Sequence, residues 1–192
     1  DETSFKQFLS PKIIRDLGMD PNLIFRMALS PSKRFVLVDG PGGFRAINIE
    51  EKKIVLEIPS TIEEIHGPGR EKQNYGWHSA SISPDDARVA VVYRSNTGSN
   101  GIKVFNLADG QEASYLALPE KDLIREIHLL PGNDLVFITY TNKPSQIWSL
   151  SGKAPISAPL EEADRFVSAG ENSLTIQREH YFGWNTMTLA VE

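Results

Sequence analysis

The spacing of hydrophobic residues changes about twenty residues into the chain. Before that point, Ile13 and Leu17 lie four residues apart, which is the spacing of one face of an α-helix. Ser10 is a favourable N-cap residue, Pro11 occupies the first helical position, and Gly18 follows where a helix commonly ends. The sequence therefore predicts a short helix near the N-terminus.

From Leu23 onward the hydrophobic positions recur with a period of two, which predicts β-strands. The predicted strands form a unit of strand, tight turn, strand, loop, strand, turn and strand. Four units follow one another, and the fourth lacks its last strand. Repetition of one supersecondary unit at this length is typical of propellers and other repeat proteins. The approximate bounds of the units are residues 22–58, 76–118, 124–159 and 164–192.

Three of the predicted turns carry a proline in the same place, directly after the first strand of a unit. Pro31, Pro84 and Pro131 are separated by 53 and 47 residues, close to the ~40–45 residues of a propeller blade with some extra loop. Proline followed by polar residues favours a type I turn. A β-sandwich with a similar number of strands is the alternative fold, but a sandwich has no reason to repeat this turn in register.

Three short motifs resemble parts of WD40 repeats. Residues 102–107 and 147–150 resemble the third strand of a WD40 blade, and residues 83–86 resemble the turn between its first two strands. No unit has the full Trp-Asp pair or the opening Gly-His, so the motifs are also similar to bacterial propellers of the YVTN type. The resemblance implies an all-β protein: a propeller, or part of one, with about four four-stranded blades. Residues 1–21 would form a helical extension and residues 22–192 the blades.

Composition and charge narrow the range of partners. The chain has 192 residues and a net charge of −5, with acidic and basic residues interspersed. Nucleic-acid and anionic-membrane partners favour a clustered basic surface, so the sequence predicts neither. No apolar run approaches the roughly 18 residues of a membrane span. Because the chain has no cysteine, we predict a cytoplasmic location, with a bacterial secreted or periplasmic location as the alternative.

Sequence motifs for catalysis and cofactor binding are absent. The chain contains no Gly-x-Ser-x-Gly, P-loop, GxGxxG or His-Glu-x-x-His motif. The histidines nearest to each other, His66 and His78, are twelve residues apart and do not have metal-ligand spacing. We therefore predict no catalytic residue, no metal site and no cofactor, and we expect that this chain is not an enzyme.

Candidate binding residues gather on one side of the predicted blades. In a WD40-like blade, the loops between second and third strands and the connections between blades emerge on the same side. We call this side the loop face; it comprises residues 40–43, 67–75, 95–100, 141–144 and 179–183. Arginine and aromatic residues are enriched at interface cores. The predicted binding residues are Arg70, Lys72, Tyr75, Arg94, Lys143, His180, Tyr181 and Phe182.

The leading functional hypothesis is a non-catalytic protein–protein interaction module that uses the loop face. Two alternatives are a substrate-gating propeller domain of a larger hydrolase or peptidase, and a bacterial surface propeller that binds a ligand. The partner would be another protein, or further polypeptide that completes the propeller. Because the fourth unit lacks its last strand, its open edge could also pair two copies of the chain.

Overall fold

The computed structural model describes most of the chain, and all structural statements refer to that part. It contains one α-helix, one turn of 3-10 helix and fifteen strands. The described residues are 9–24, 26–40, 43–59, 79–94, 100–119, 122–132, 134–141, 143–157, 160, 165–170, 173–180 and 183–190.

The N-terminal helix is confirmed. Helix α1 spans Pro11–Asp16, and the Ser10 hydroxyl caps it by accepting the N–H of Ile13 at 3.4 Å. The chain leaves the helix through Gly18, whose φ of 74° lies in the left-handed region that glycine adopts without strain. A 3-10 turn at Pro21–Leu23 then leads into the first strand.

The strands form four antiparallel sheets, each made of strands consecutive in the chain. Blade 1 comprises β1 (Arg26–Leu29), β2 (Phe35–Gly40), β3 (Gly43–Asn48) and β4 (Lys53–Pro59). Blade 2 comprises β5 (Ala80–Ile82), β6 (Arg88–Arg94), β7 (Asn100–Asn106) and β8 (Glu112–Leu118). Blade 3 comprises β9 (Ile124–Leu129), β10 (Leu135–Tyr140), β11 (Gln146–Ser149) and β12 (Ala154–Pro155). Blade 4 comprises β13 (Arg165–Gly170), β14 (Ser173–His180) and β15 (Gly183–Ala190).

The predicted turn after the first strand repeats in the first three blades with the same backbone hydrogen bond. In blades 1 and 2 the serine hydroxyl before the proline also accepts a backbone N–H, at 3.1 Å for Ser30 and 2.9 Å for Ser83. This shared geometry confirms that the units repeat in register. The backbone bonds run from the N–H of Ser30, Ser83 and Leu130 to the carbonyl oxygens of Phe35, Arg88 and Leu135.

Apolar side chains fill the space between successive blades. Each blade presents one face to the next, because successive side chains of a strand point to opposite faces of the sheet. The stacking of consecutive four-stranded antiparallel sheets confirms the predicted propeller-type fold. Blades 1 and 2 join through Leu37, Phe44, Val89 and Val91, blades 2 and 3 through Ile102, Leu116, Ile127 and Ile138, and blades 3 and 4 through Phe137, Ile147, Leu174 and Ile176.

The outer face of blade 1, which points away from blade 2, is covered by the N-terminal segment. Leu9 and Ile14 are 2% and 4% exposed because they pack on Val36, Val38 and Ile47 of this face. The equivalent face of blades 2, 3 and 4 packs against the preceding blade. The N-terminal segment therefore takes the place of a preceding blade, a role that the sequence did not reveal.

The outer face of blade 4, which points away from blade 3, is polar. Thr175 and Thr188 lie opposite each other there, with their hydroxyl oxygens 3.2 Å apart. Ser168 is exposed on the neighbouring strand. Val167, at a β-bulge in β13, is a large apolar residue of this blade that is 49% exposed. Among the described residues, β15 pairs only with β14.

Candidate interaction surface

The predicted binding residues are spread over several loop-face connections. Arg94 is the last residue of β6, His180 is the last of β14, and Lys143 follows β10. Five other predicted residues lie outside the described residues, namely Arg70, Lys72, Tyr75, Tyr181 and Phe182.

The loop predicted at residues 179–183 is shorter than the sequence indicated. Strand β14 continues through Glu179 and His180, and His180 pairs with Gly183 of β15. The ladder runs this far because only two residues connect the strands, which suits an antiparallel hairpin. The prediction that His180 belongs to a loop is therefore wrong, although its position is still at the loop-face end of the strand.

A cavity of about 300 Å³ opens where strand ends of the first three blades meet. Its walls come from the beginnings of β1, β7 and β9 and from the ends of β6 and β10. These strand ends all lie on the loop face, because neighbouring strands are antiparallel. We call it the loop-face cavity, and it is lined by Arg26, Val92, Asn100, Asp122, Leu123, Ile124, Arg125 and Thr141.

A β-bulge in β9 sets the direction of Arg125. Tyr140 pairs with Ile124 and Thr139 pairs with Glu126, so Arg125 has no counterpart on β10. An extra residue of this kind bends the strand and re-aims a side chain, and bulges are common beside functional sites. Arg125 is exposed and lines the cavity. Among the described residues, none forms an ion pair with its guanidinium group.

The second arginine of the cavity lies opposite a carboxylate. Arg26 pairs with Asp39 across β1 and β2. Burial raises the pKa of Asp39 above its ordinary value, although the charge of Arg26 and the N–H of Gly40 act in the opposite direction. The carboxylate is therefore partly desolvated, and the positive charge of Arg26 offsets part of the cost of keeping it ionised.

Lys143, a predicted binding residue, forms a partly buried ion pair with Asp122, which is one of the cavity-lining residues. Its Nζ lies 2.5 Å from Oδ2 of Asp122, whose side chain is 3% exposed. The same ammonium group lies 4.0 Å from the centre of the Tyr140 ring. Burial and the charge of Asp122 raise the pKa of Tyr140, which keeps the phenol neutral. Lys143 thus holds the connection between blades 2 and 3 in place.

An exposed apolar side chain forms the rim of the cavity. Leu123 is 43% exposed, although it follows the buried Asp122 directly. Thr141 fixes its backbone, because its N–H and its hydroxyl donate to the Leu123 carbonyl oxygen at 2.8 and 3.2 Å. The side-chain amide of Asn100 donates to the Asp122 carbonyl oxygen at 2.9 Å. Leu123 is therefore presented on a hydrogen-bonded backbone.

The sequence did not predict four residues of this site, namely Arg26, Asp122, Leu123 and Arg125. One signal was available, since Arg125 and Glu126 are two consecutive polar residues between Ile124 and Ile127. Two polar residues in succession break the period of two and are compatible with a bulge. The ion pair of Asp122 carried no such signal, because its partner is remote in sequence.

The described residues contain neither a candidate metal site nor a membrane-spanning helix. No group of three or more His, Asp or Glu side chains within the described ranges could hold a metal ion. None of the helices that the structure describes is long and apolar enough to cross a bilayer.

Comparison with solved structures identifies similar folds at low sequence identity. A structure of U3-55K has a TM-score of 0.55 at 11% identity, covering 85% of this chain and 51% of that chain. The RRP9 WD40 repeats have a TM-score of 0.55 at 12% identity, with coverage of 85% and 50%. Hydrazine synthase from Kuenenia stuttgartiensis has a TM-score of 0.52 at 10% identity, with coverage of 87% and 46%.

These similarities concern the fold. The chain spans about half the length of each of the three structures. No family model and no curated protein sequence matches it. At such low identity the similarity shows a WD40-like propeller architecture, in agreement with the sheets and their order.

Proposed function

We propose that this chain is a non-catalytic protein-interaction module whose partner binds at the loop-face cavity. One observation carries the proposal: Leu123 is exposed on a hydrogen-bonded backbone beside Arg125, which has no ion-pair partner among the described residues, at a cavity formed by three blades. Binding energy at interfaces is concentrated in a few side chains near the centre of the contact, among which arginine is enriched, and the contacts around them exclude water. A rigid anchor loses little conformational entropy on binding, which favours affinity.

The polar groups of the cavity favour binding over catalysis. Asp122 is held by Lys143, and the Thr141 hydroxyl donates to a backbone carbonyl oxygen. A general base or nucleophile has to reach a substrate atom at hydrogen-bond distance. In the described part of the cavity these polar groups already have structural partners, so they support a binding role.

The predicted binding residues extend the same surface. Arg94 pairs with Asn100, which lines the cavity. Pro59 ends β4 opposite Gly43, so the connection to β5 starts on the loop face. Residues 70, 72 and 75 belong to that connection, and residues 181 and 182 join β14 to β15. We expect the double change Tyr181→Ala and Phe182→Ala to weaken partner binding by about 2 kcal/mol.

Photo-crosslinking tests this function directly. A photoreactive phenylalanine replaces Leu123 in one variant and Asp109, in a turn on the opposite face, in the other. Captured proteins are identified by mass spectrometry and purified, and their affinities for Leu123→Ala and Asp109→Ala are measured. We expect a partner that crosslinks from position 123 and binds Leu123→Ala about tenfold or more weakly, a loss of ~1.4 kcal/mol. Equal affinities for the two alanine variants would contradict the proposal.

The open edge of blade 4 supports a second contact. Strands β3, β7 and β11 each have a fourth strand beside them, whereas β15 has none among the described residues. An unpaired edge accepts an added strand, either from further polypeptide or from a second copy of the chain. We propose that β15 is completed in one of these two ways.

The absence of cysteine in the chain allows a clean test of self-pairing. The variant Thr188→Cys places one thiol on β15, and Asp109→Cys serves as the control. If two β15 edges pair, mild oxidation should link Thr188→Cys dimers much faster than control dimers. A monomeric protein with equal, slow crosslinking in both variants would exclude self-pairing and leave addition of another polypeptide strand.

A further inference from the structure

The loop-face cavity carries a local surplus of positive charge in an acidic protein. The chain as a whole has a net charge of −5. Around the cavity, Arg26 faces Asp39 and Lys143 binds Asp122, whereas no described carboxylate pairs with Arg125. Its neighbour Glu126 points to the other face of the blade, where its Oε2 lies 3.7 Å from Nε2 of His128. Among the described residues, Arg125 is therefore the cavity charge that has no carboxylate partner.

We propose that Arg125, together with Arg26 in the lining of the same cavity, binds a carboxylate from an acidic segment of the partner. The inference rests on the proposed interaction function and names the chemistry that the cavity recognises. A guanidinium group presents a planar fork of N–H donors that matches a carboxylate in a bidentate arrangement. Leu123 on the rim provides an apolar contact for a residue next to the acidic one.

The size and the wall charges favour a carboxylate over a phosphate. A cavity of about 300 Å³ is at the small end of ligand pockets and suits one side chain. The pairs Arg26–Asp39 and Lys143–Asp122 leave the single charge of Arg125, which a monoanionic carboxylate balances and the larger charge of a phosphate would exceed. The bound segment should therefore carry glutamate or aspartate next to an apolar residue.

Nuclear magnetic resonance with short peptides tests the chemistry independently of any natural partner. The ¹⁵N-labelled chain is titrated with N-acetyl-Leu-Glu-Leu-amide and with the matched peptide that contains Gln in place of Glu. We expect the Glu peptide to shift the Arg125 Nε–H signal saturably, with a dissociation constant of about 1–10 mM, and the Gln peptide to bind several-fold more weakly. Indistinguishable titrations, or no saturable shift, would overturn the inference.

Variants and other anions define the source of the carboxylate. Arg125→Gln should remove the preference for the Glu peptide, whereas Arg15→Gln, an exposed arginine on α1, should retain it. N-acetyl-Leu-Leu-Leu with a free C-terminus tests a terminal carboxylate against a side-chain one. Tighter binding of inorganic phosphate than of the Glu peptide would contradict the assignment and indicate a phosphate-bearing ligand.

Partner affinity and peptide binding together distinguish the carboxylate site from the proposed interaction surface. If a captured partner loses affinity with Leu123→Ala but binds Arg125→Gln normally, the interaction surface stands and the carboxylate assignment fails. If the partner is indifferent to Leu123→Ala while the isolated peptides still prefer Glu, the carboxylate site stands and the proposed surface fails.

Discussion

The outer faces of blade 1 and blade 4 both belong to antiparallel sheets of consecutive strands, but one face is apolar and the other is polar. In blade 1 the outer face is apolar, and α1 with its flanking residues covers it. In blade 4 the outer face carries Thr175, Thr188 and Ser168. Repeat units whose outer face has no neighbour commonly carry a cap or a polar face. In the described part of the chain, the N-terminal segment forms a cap on blade 1, and the outer face of blade 4 is polar.

The sequence encodes this difference in the alternation of each second strand. Residues 35–38 in β2 are all apolar, so both faces of blade 1 need cover. In β14, Leu174 and Ile176 alternate with Thr175 and Gln177, so one face suits the core and the other suits water. The alternation of apolar and polar residues in one strand therefore indicates which faces of its sheet have to be covered.

Of the two outer faces, the one under the cap should show the larger change in the free energy of unfolding. Ile14→Ala removes a side chain that is 4% exposed against the outer face of blade 1. We expect the free energy of unfolding to fall by about 2–4 kcal/mol, because a buried cavity is left behind. Urea denaturation measures the change, with the exposed Lys12→Ala on the same helix as a control. A loss below ~1 kcal/mol would mean that the segment lies loosely on blade 1.

A smaller, pH-dependent change in the free energy of unfolding is expected in blade 3, which lies between blades 1 and 4 in the chain. Asp134 accepts hydrogen bonds from the Ser149 hydroxyl and from the hydroxyl and N–H of Ser151, at 2.9–3.0 Å. Burial alone would raise its pKa, but these bonds outweigh burial and hold the pKa of Asp134 below its ordinary value. Asp134→Asn should therefore cost about 1 kcal/mol at neutral pH.

The sign of the pH dependence follows from the lowered pKa of Asp134. Because the folded state has the lower pKa, the stabilisation is complete above the unfolded-state value and is lost as pH falls through the folded-state value. The difference in unfolding free energy between the original chain and Asp134→Asn should shrink between neutral pH and about pH 3. A difference that grows on acidification would contradict this account of the hairpin.

The smallest change in the free energy of unfolding is expected for a substitution on the outer face of blade 4. Thr188 is exposed, and its partner across the sheet is Thr175. Thr188→Ala should change the free energy of unfolding by no more than about 0.5 kcal/mol. On the opposite face of the same sheet, Ile176→Ala should cost about 2–4 kcal/mol, since Ile176 is fully buried against blade 3. Similar losses in both variants would show that the outer face is also packed.

The sequence predicted the local elements better than their arrangement. The Ser10 cap, the Ser-Pro turns and the alternating strands were predictable because neighbouring residues determine them. The packing of Ile14 on Val38 and the pairing of Asp122 with Lys143 were not, since they join residues about twenty or more positions apart. Lys143 is an example: the sequence predicted a binding residue on the loop face, and that prediction stands beside a partly buried ion pair that only the fold reveals.

Native-state hydrogen exchange tests most directly whether the N-terminal segment replaces a blade. Amide protection is compared between β2, including Val36 and Val38, and β14, including Thr175 and Gln177. If the cap packs as a blade would, β2 amides should exchange only through opening near the global free energy of unfolding, and β14 amides should open at lower cost. Faster exchange in β2 than in β14 would contradict the account.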